Sequence, residues 1–238
     1  MSRQRRQTQQ TYYIFSDESG MPVGGNDTYF IQASLLTTRP DLLMTRIPRI
    51  LSDTKRYQKP RLNAKKHMVH AGHDIKNRAG HEIIKRVLAE ISNIDTPYVC
   101  ISAFKKPKQA LPMKTSNILR EKLIMRNIMQ IIWESGLQQK NRPEHIQVAI
   151  ENFDGVRIET LRQGICNQIS MPPEQITMES KSNSRIGRGL QVADCLAFSW
   201  HKGMNHDDQQ FVEIVPEHIV FSEILSWADD DFFVVSEK

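Results

Sequence analysis

The stretch TYYIFSDESG, residues 11–20, decides the expected fold of this chain. Residues 11–16 are mostly aromatic and β-branched, a composition typical of a buried strand. Asp17 and Glu18 follow directly, and Gly20 closes the segment with a turn. The segment therefore predicts a buried strand that ends on two acidic residues.

A second strand follows closely enough to pair with the first. Residues 28–37 (TYFIQASLLT) are again largely apolar, and the glycine-containing turn at residues 21–26 predicts an antiparallel hairpin. Further strands are predicted at residues 97–104, 145–150 and 175–179, the last of which completes the sheet. Helices are predicted over residues 39–51, 74–91, 115–135, 154–169 and 190–202. This order of elements predicts an α/β fold in which helices flank a mixed sheet.

Length, charge and cysteine content set limits on organisation and partners. The 238 residues are expected to form one domain over residues 11–238, after a disordered basic arm at residues 1–10. The net charge of +5 slightly favours a polyanionic partner. The three cysteines lie far apart, so neither a disulfide framework nor a zinc knuckle is expected. No apolar run is long enough for a signal peptide or a membrane span, so we expect a cytoplasmic protein without membrane contact.

Asp194 is the most informative acidic residue. On a helix it shares a face with Leu190, Ala197 and Phe198, because residues three and four positions apart are neighbours. An unpaired carboxylate on an apolar face is costly, so it needs a partner. That partner is either a cation or a basic or hydrogen-bonding group inside the core.

Three other acids favour a metal cation as the partner of Asp194. Asp17 and Glu18 close one predicted strand and Glu151 closes another, so carboxylates at the sheet ends are expected beside Asp194. Mg²⁺ or Mn²⁺ takes oxygen ligands of this kind. Two such ions about 4 Å apart activate a water and stabilise the leaving oxygen of a phosphodiester. This chemistry predicts a product that carries a 5′ phosphate.

Three segments also resemble a known family. IFSDESG at residues 14–20, HAGHDIKNR at residues 70–78 and GLQVADCLAF at residues 189–198 resemble the family called domain of unknown function 3800, a branch of the RNase H-like nucleases. The resemblance implies an RNase H-like sheet and metal-dependent cleavage of nucleic acid, often in defence or mobile-element settings. Asp17, Glu18 and Asp194 match its acidic positions. Glu151 matches the middle acid, for which Asp154 is the alternative.

The histidines of the middle segment allow two interpretations. His67, His70 and His73 recur every three residues, as zinc ligands might be spaced, but Gly72 weakens a helix there. No cysteine lies near, and a surface turn explains the pattern better than a zinc site does. The family resemblance instead implies that His70 and Asp74 line the acidic site, where His70 is expected to act catalytically by orienting a phosphate or moving a proton.

Two basic segments are candidates for binding nucleic acid. Lys55, Arg56 and Lys59 lie in the stretch 53–66, expected to be an exposed loop that either follows the substrate backbone or is simply solvated. A second group precedes the helix that carries Asp194, where cations beside a helix N-terminus suit phosphate. Its members are Lys181, Arg185 and Arg188.

The combined prediction is a metal-dependent nuclease that hydrolyses DNA or RNA through a carboxylate cluster. The predicted metal ligands are Asp17, Glu18, Glu151 and Asp194, with Mg²⁺ or Mn²⁺ as cofactor and nucleic acid as partner. One alternative is a non-catalytic nucleic-acid-binding module of the same fold. Others are an effector held silent by a regulatory protein at the helix of residues 115–135, and a hydrolase of small nucleotides.

Overall fold

We describe the protein from a computed structural model. It describes residues 10–22, 24–57, 71, 78–107, 113–137, 145–151, 157–180 and 187–226.

The centre of the fold is a mixed sheet in the order β5-β4-β1-β2-β3-β6. The strands are β1 (Thr11–Ser19), β2 (Tyr29–Thr37), β3 (Tyr98–Lys105), β4 (His145–Ile150), β5 (Ile176–Ser180) and β6 (Val220–Ser226). β2 is antiparallel to β1 and β3, whereas β1–β4, β4–β5 and β3–β6 are parallel pairs. Among the six described strands, β2 therefore runs opposite to the rest. The predicted β1–β2 hairpin is confirmed.

Helices cover both faces of this sheet. They are α1 (Pro40–Tyr57), α2 (Arg78–Ile91), α3 (Met113–Glu134), α4 (Ile158–Ile169) and α5 (Gly187–His206). α5 packs on β1 and β2, with α1 and α2 against it, while α3 packs on β2 and β3 and contacts α4. The predicted α/β class, with helices flanking a mixed sheet, is confirmed. Within the described residues, no helix has the length and apolarity needed to cross a membrane.

The two faces are filled by alternate residues of β1. Successive side chains of a strand point to opposite faces, and Phe15 accordingly lies in the core under α5, whereas Ile14 lies in the core under α3 and α4. Both side chains are almost completely buried. The same alternation decides where the acids of β1 point.

Several element boundaries differ from the sequence prediction, and three of them bear on the site. β1 continues to Ser19, because Asp17 and Glu18 pair with Ala33 and Gln32 of β2, so the acids lie within the strand. α1 continues to Tyr57, so the predicted loop is helical at its start. α5 begins at Gly187.

The prediction that the strand at residues 175–179 completes the sheet was wrong. β6 follows α5 and pairs in parallel with β3 at the edge of the sheet. Its side chains are mostly half-buried or exposed, with Leu225 buried and Ile224 exposed. Such an edge strand lacks the continuous apolar run by which sequence reasoning recognises buried strands.

Candidate active site

Asp17 lies at the centre of a group of carboxylates. It is buried, with 6% of its surface exposed, and its strand neighbour β4 ends at Ile150, which pairs with Ser16 and is followed by Glu151. Burial raises the pKa of Asp17 well above its usual value, and the charges of Asp194 and Glu151 raise it further. A hydrogen bond with the Glu151 side chain acts in the same direction. We call Asp17, Glu151 and Asp194 the acidic cluster.

A glycine lets α5 approach β1 closely enough to form this cluster. A Cβ atom added at Gly189 would lie 2.3 Å from ring carbons of Phe15, far inside van der Waals contact. The absence of a side chain therefore allows the first turn of α5 to sit directly on the Phe15 ring. Asp194 follows on the same helix, beside Asp17.

The carboxylate of Asp194 is held from the other side by a backbone group. Its Oδ2 atom accepts a hydrogen bond of 2.8 Å from the N–H of Ala71, and Ala71 is completely buried. A hydrogen bond to a charged acceptor fixes both position and orientation. The segment HAGHDIKNR thus contacts the candidate site through its second residue.

Glu18 belongs to different surroundings from Asp17, although the two are adjacent in sequence. Its Oε1 atom lies 2.8 Å from Nη2 of Arg120 on α3, and only 8% of its side chain is exposed. Burial raises the pKa of Glu18 from 4.5 to about 7, while Arg120 lowers it and the Glu151 charge raises it. Glu151 therefore acts on both Asp17 and Glu18.

A buried polar network supports β1 on the α3 face. Gln32 Nε2 donates to Ser16 Oγ (2.9 Å) and to the backbone carbonyl of Asp17 (3.0 Å). Asn127 of α3 donates to the Gln32 carbonyl (3.3 Å) and to Ser102 Oγ (2.8 Å). Because these groups are buried, each bond avoids the cost of an unpaired polar atom. The network holds the strand that carries Asp17 and Glu18 in a defined position.

The donor atoms of the acidic cluster fit a hard divalent cation. All are carboxylate oxygens, and the two charges acting on Asp17 are both negative, so a cation would relieve their repulsion. Within the described residues, however, no three acidic, histidine or cysteine side chains are grouped to hold a metal ion as they stand. To hold a cation by themselves, these three carboxylates would have to move closer around a common centre.

Most of the other predicted site residues lie outside the described residues. These are His70, Asp154, Lys59, Lys181 and Arg185, together with the zinc-like histidines. Lys55 and Arg56 lie on the last turn of α1, for which the structure describes the backbone alone. Arg188 lies in the first turn of α5, not before it, and its Nη1 is 3.5 Å from Gln191 Oε1. Their roles remain predictions.

Sequence reasoning missed Arg120 and Ala71. Arg120 lies on a long apolar helix, and the sequence carries no sign that it pairs with Glu18. Ala71 contributes only its backbone N–H, which every residue except proline has. The signal available for Ala71 was its place inside the segment that resembles the family pattern.

Comparisons with known proteins concern the fold. No family model matches the chain, and no curated protein matches it. Its sheet is mixed and flanked by helices, as predicted, with β2 reversed between β1 and β3 and with β4 and β5 parallel to β1.

Solved structures of RNases H are similar to this chain at low sequence identity. A chain of the PCNA:RNase HII complex from Archaeoglobus fulgidus is 12% identical, with 81% of this chain and 73% of that chain covered and a TM-score of 0.43. The ribonuclease H2 from Pyrococcus horikoshii is 14% identical, with coverages of 87% and 81% and a TM-score of 0.44. The Bst-RNase HIII in complex with Mn²⁺ is 15% identical, with a TM-score of 0.43; 83% of this chain is covered, and it spans 54% of that one.

Proposed function

We propose that this protein is a divalent-metal-dependent nuclease that hydrolyses phosphodiester bonds of DNA or RNA at the acidic cluster. The observation that carries the proposal is the buried carboxyl of Asp17 beside Asp194 and Glu151, two further acids whose charges raise its pKa. A buried carboxyl that is repelled by two neighbouring acids is unfavourable for stability alone, and such perturbed groups are typical of functional sites.

Asp17, Glu151 and Asp194 are the residues that would hold Mg²⁺ or Mn²⁺. When bound, the ion would activate a water and stabilise charge on the phosphate oxygens. Asp17 has a fixed place because β1 pairs with both β2 and β4. The Ala71 N–H orients Asp194 through its Oδ2 atom. A side-chain hydrogen bond between Asp17 and Glu151 raises the pKa of Asp17, and a cation held by both carboxylates would compete with the proton that they share.

A polyanionic substrate suits the charge of the whole chain. The net charge is +5, which favours association with nucleic acid through its phosphates. Arg188, on the first turn of α5, precedes Asp194 on the same helix. We propose that it contacts the substrate backbone with Lys181, Arg185 and the basic residues Lys55, Arg56 and Lys59.

Cleavage of labelled DNA and RNA oligonucleotides tests the proposal. The wild type is compared with Asp17→Asn and Asp194→Asn in Mg²⁺, in Mn²⁺ and with a chelator. Asp41→Asn is the matched control, because Asp41 is exposed and paired with Arg39 at the start of α1. We expect cleavage that needs metal and falls by at least about 100-fold in both site variants, but not in the control.

Two results would contradict this function. Cleavage that persists with the chelator, or in Asp17→Asn, would show that the acidic cluster is not the catalytic site. A wild type that cleaves nothing but retains nucleic acid in a salt-sensitive manner would instead identify a binding module of the same fold.

A further inference from the structure

Adjacent acids on a strand point to opposite faces of the sheet. Asp17 shares the face of Phe15, on which α5 brings in Asp194. Glu18 shares the face of Ile14, on which α3 brings in Arg120. The alternation is enforced by regular pairing with β2, which continues one residue beyond Glu18 to Ser19. The side chains of Asp17 and Glu18 therefore project from opposite faces of β1.

Glu18 also has a close cationic partner in its own surroundings. Arg120 Nη2 lies 2.8 Å from Glu18 Oε1, and the two side chains are only 19% and 8% exposed. Separating a buried ion pair leaves a charge without compensation, which is strongly unfavourable. Asp17, in contrast, is acted on by the negative charges of Asp194 and Glu151.

We propose that Arg120 is a positioning residue for the acidic cluster: it holds Glu18 on the α3 side of the sheet and keeps it out of the set of cation ligands. This proposal rests on the proposed function, because it concerns the same site. It replaces the four-carboxylate site expected from sequence with three ligands, Asp17, Glu151 and Asp194. Arg120 acts through Glu18, which lies near Glu151.

One atom makes the proposal sharply testable. Oε2 of Glu18 is buried and has no hydrogen-bond partner in the described part of the chain. If Glu18 were a ligand, Oε2 would be the atom that contacts the cation. The charge and the donor oxygen of Glu18 can be removed with little change of shape by Glu18→Gln.

Mn²⁺ binding to the full chain distinguishes a site with Glu18 as a ligand from one without it, and it does not rely on cleavage. The electron paramagnetic resonance signal of free Mn²⁺ measures this binding. The variants are Asp17→Asn, Glu18→Gln, Arg120→Gln, Arg120→Lys and the double variant of Glu18→Gln with Arg120→Gln. We expect Asp17→Asn to lose at least about tenfold in affinity and Glu18→Gln to stay within about two-fold of wild type. Arg120→Gln should bind about three- to tenfold more tightly, because Glu18, no longer held on the α3 side, becomes free to join the cation ligands.

Two comparisons separate positioning from a purely structural role. The double variant and Arg120→Lys should both return to the wild-type affinity, whereas loss of packing at Arg120 would weaken binding in every Arg120 variant. If Arg120→Gln does not fold, the Mn²⁺ affinity of Glu18→Gln alone decides whether Glu18 is a ligand. If wild type binds Mn²⁺ and Glu18→Gln binds it at least tenfold more weakly, this proposal is overturned, whereas the proposed nuclease function is not. A wild type that binds no Mn²⁺ overturns both.

Discussion

Replacing Glu18 by glutamine is expected to flatten the pH dependence of stability in the metal-free protein. Burial raises the pKa of Glu18 from 4.5 to about 7 in the folded state. Between these values the folded protein binds the Glu18 proton more tightly than the unfolded chain does. The stabilisation is therefore complete below about pH 4.5 and is lost as pH rises through about 7, and the loss amounts to about 3 kcal/mol.

Urea unfolding at several pH values, with a chelator present, measures this loss. From pH 4 to pH 8 the free energy of unfolding of wild type should fall by about 3 kcal/mol more than that of Glu18→Gln. The comparison uses the change with pH, so a constant cost from the altered contact with Arg120 cancels. Glu82→Gln on α2 is the control, because its exposed side chain pairs with Arg86 on the surface.

The reasoning would be refuted by parallel curves. If wild type and Glu18→Gln lose the same free energy of unfolding across this range, Glu18 does not carry a raised pKa in the folded protein. If Glu82→Gln flattens the curve as much as Glu18→Gln does, the effect comes from general charge and not from burial.

Three further predictions concern packing and hydrogen bonds of β1, β2 and the helices packed on them. Gly189→Ala should lower the free energy of unfolding by about 1–3 kcal/mol, because the added Cβ collides with the Phe15 ring. Gly164→Ala is the control, because its Cβ meets the flexible side chain of Met125. If the urea midpoint of Gly189→Ala equals that of Gly164→Ala, α5 does not approach β1 as closely as described. Asn127→Ala should cost about 2 kcal/mol by the same assay, since buried acceptors lose their donor; an unchanged midpoint would argue against the network. Asn205→Ala should speed hydrogen exchange at the Tyr29 amide, whose bond to Asn205 Oδ1 is 2.8 Å; unchanged protection would contradict that bond.

The β1–β2 hairpin and the candidate acids were predictable because short stretches of sequence contain the patterns that indicate them. The aromatic and β-branched residues of β1 and the turn before β2 lie within one stretch of sequence. Asp194 was recognisable because an acid among buried apolar residues at helical spacing is unusual. The structure brings Asp194 and Glu151 close enough to Asp17 for their charges to raise its pKa.

The last strand and the ends of several elements were not predictable in the same way. β6 is an edge strand in which only one of seven residues is buried, and it becomes a strand by pairing with β3, which is distant in sequence. The extension of β1 to Ser19 likewise depends on its partners in β2. Long-range hydrogen bonds decide these features, and local composition does not reveal them.

By itself, the sequence determined the α/β class, the hairpin that begins the sheet and the identity of the acids, because hydrophobic periodicity and the cost of burying a carboxylate are properties of short segments. Only the tertiary structure decided which acids share a site. Asp17 and Glu18 are adjacent in the chain, yet one faces Asp194 of α5 and the other pairs with Arg120 of α3. The physical reason is that strand pairing sets the face of each side chain, and the helices packed on the two faces then supply its partners.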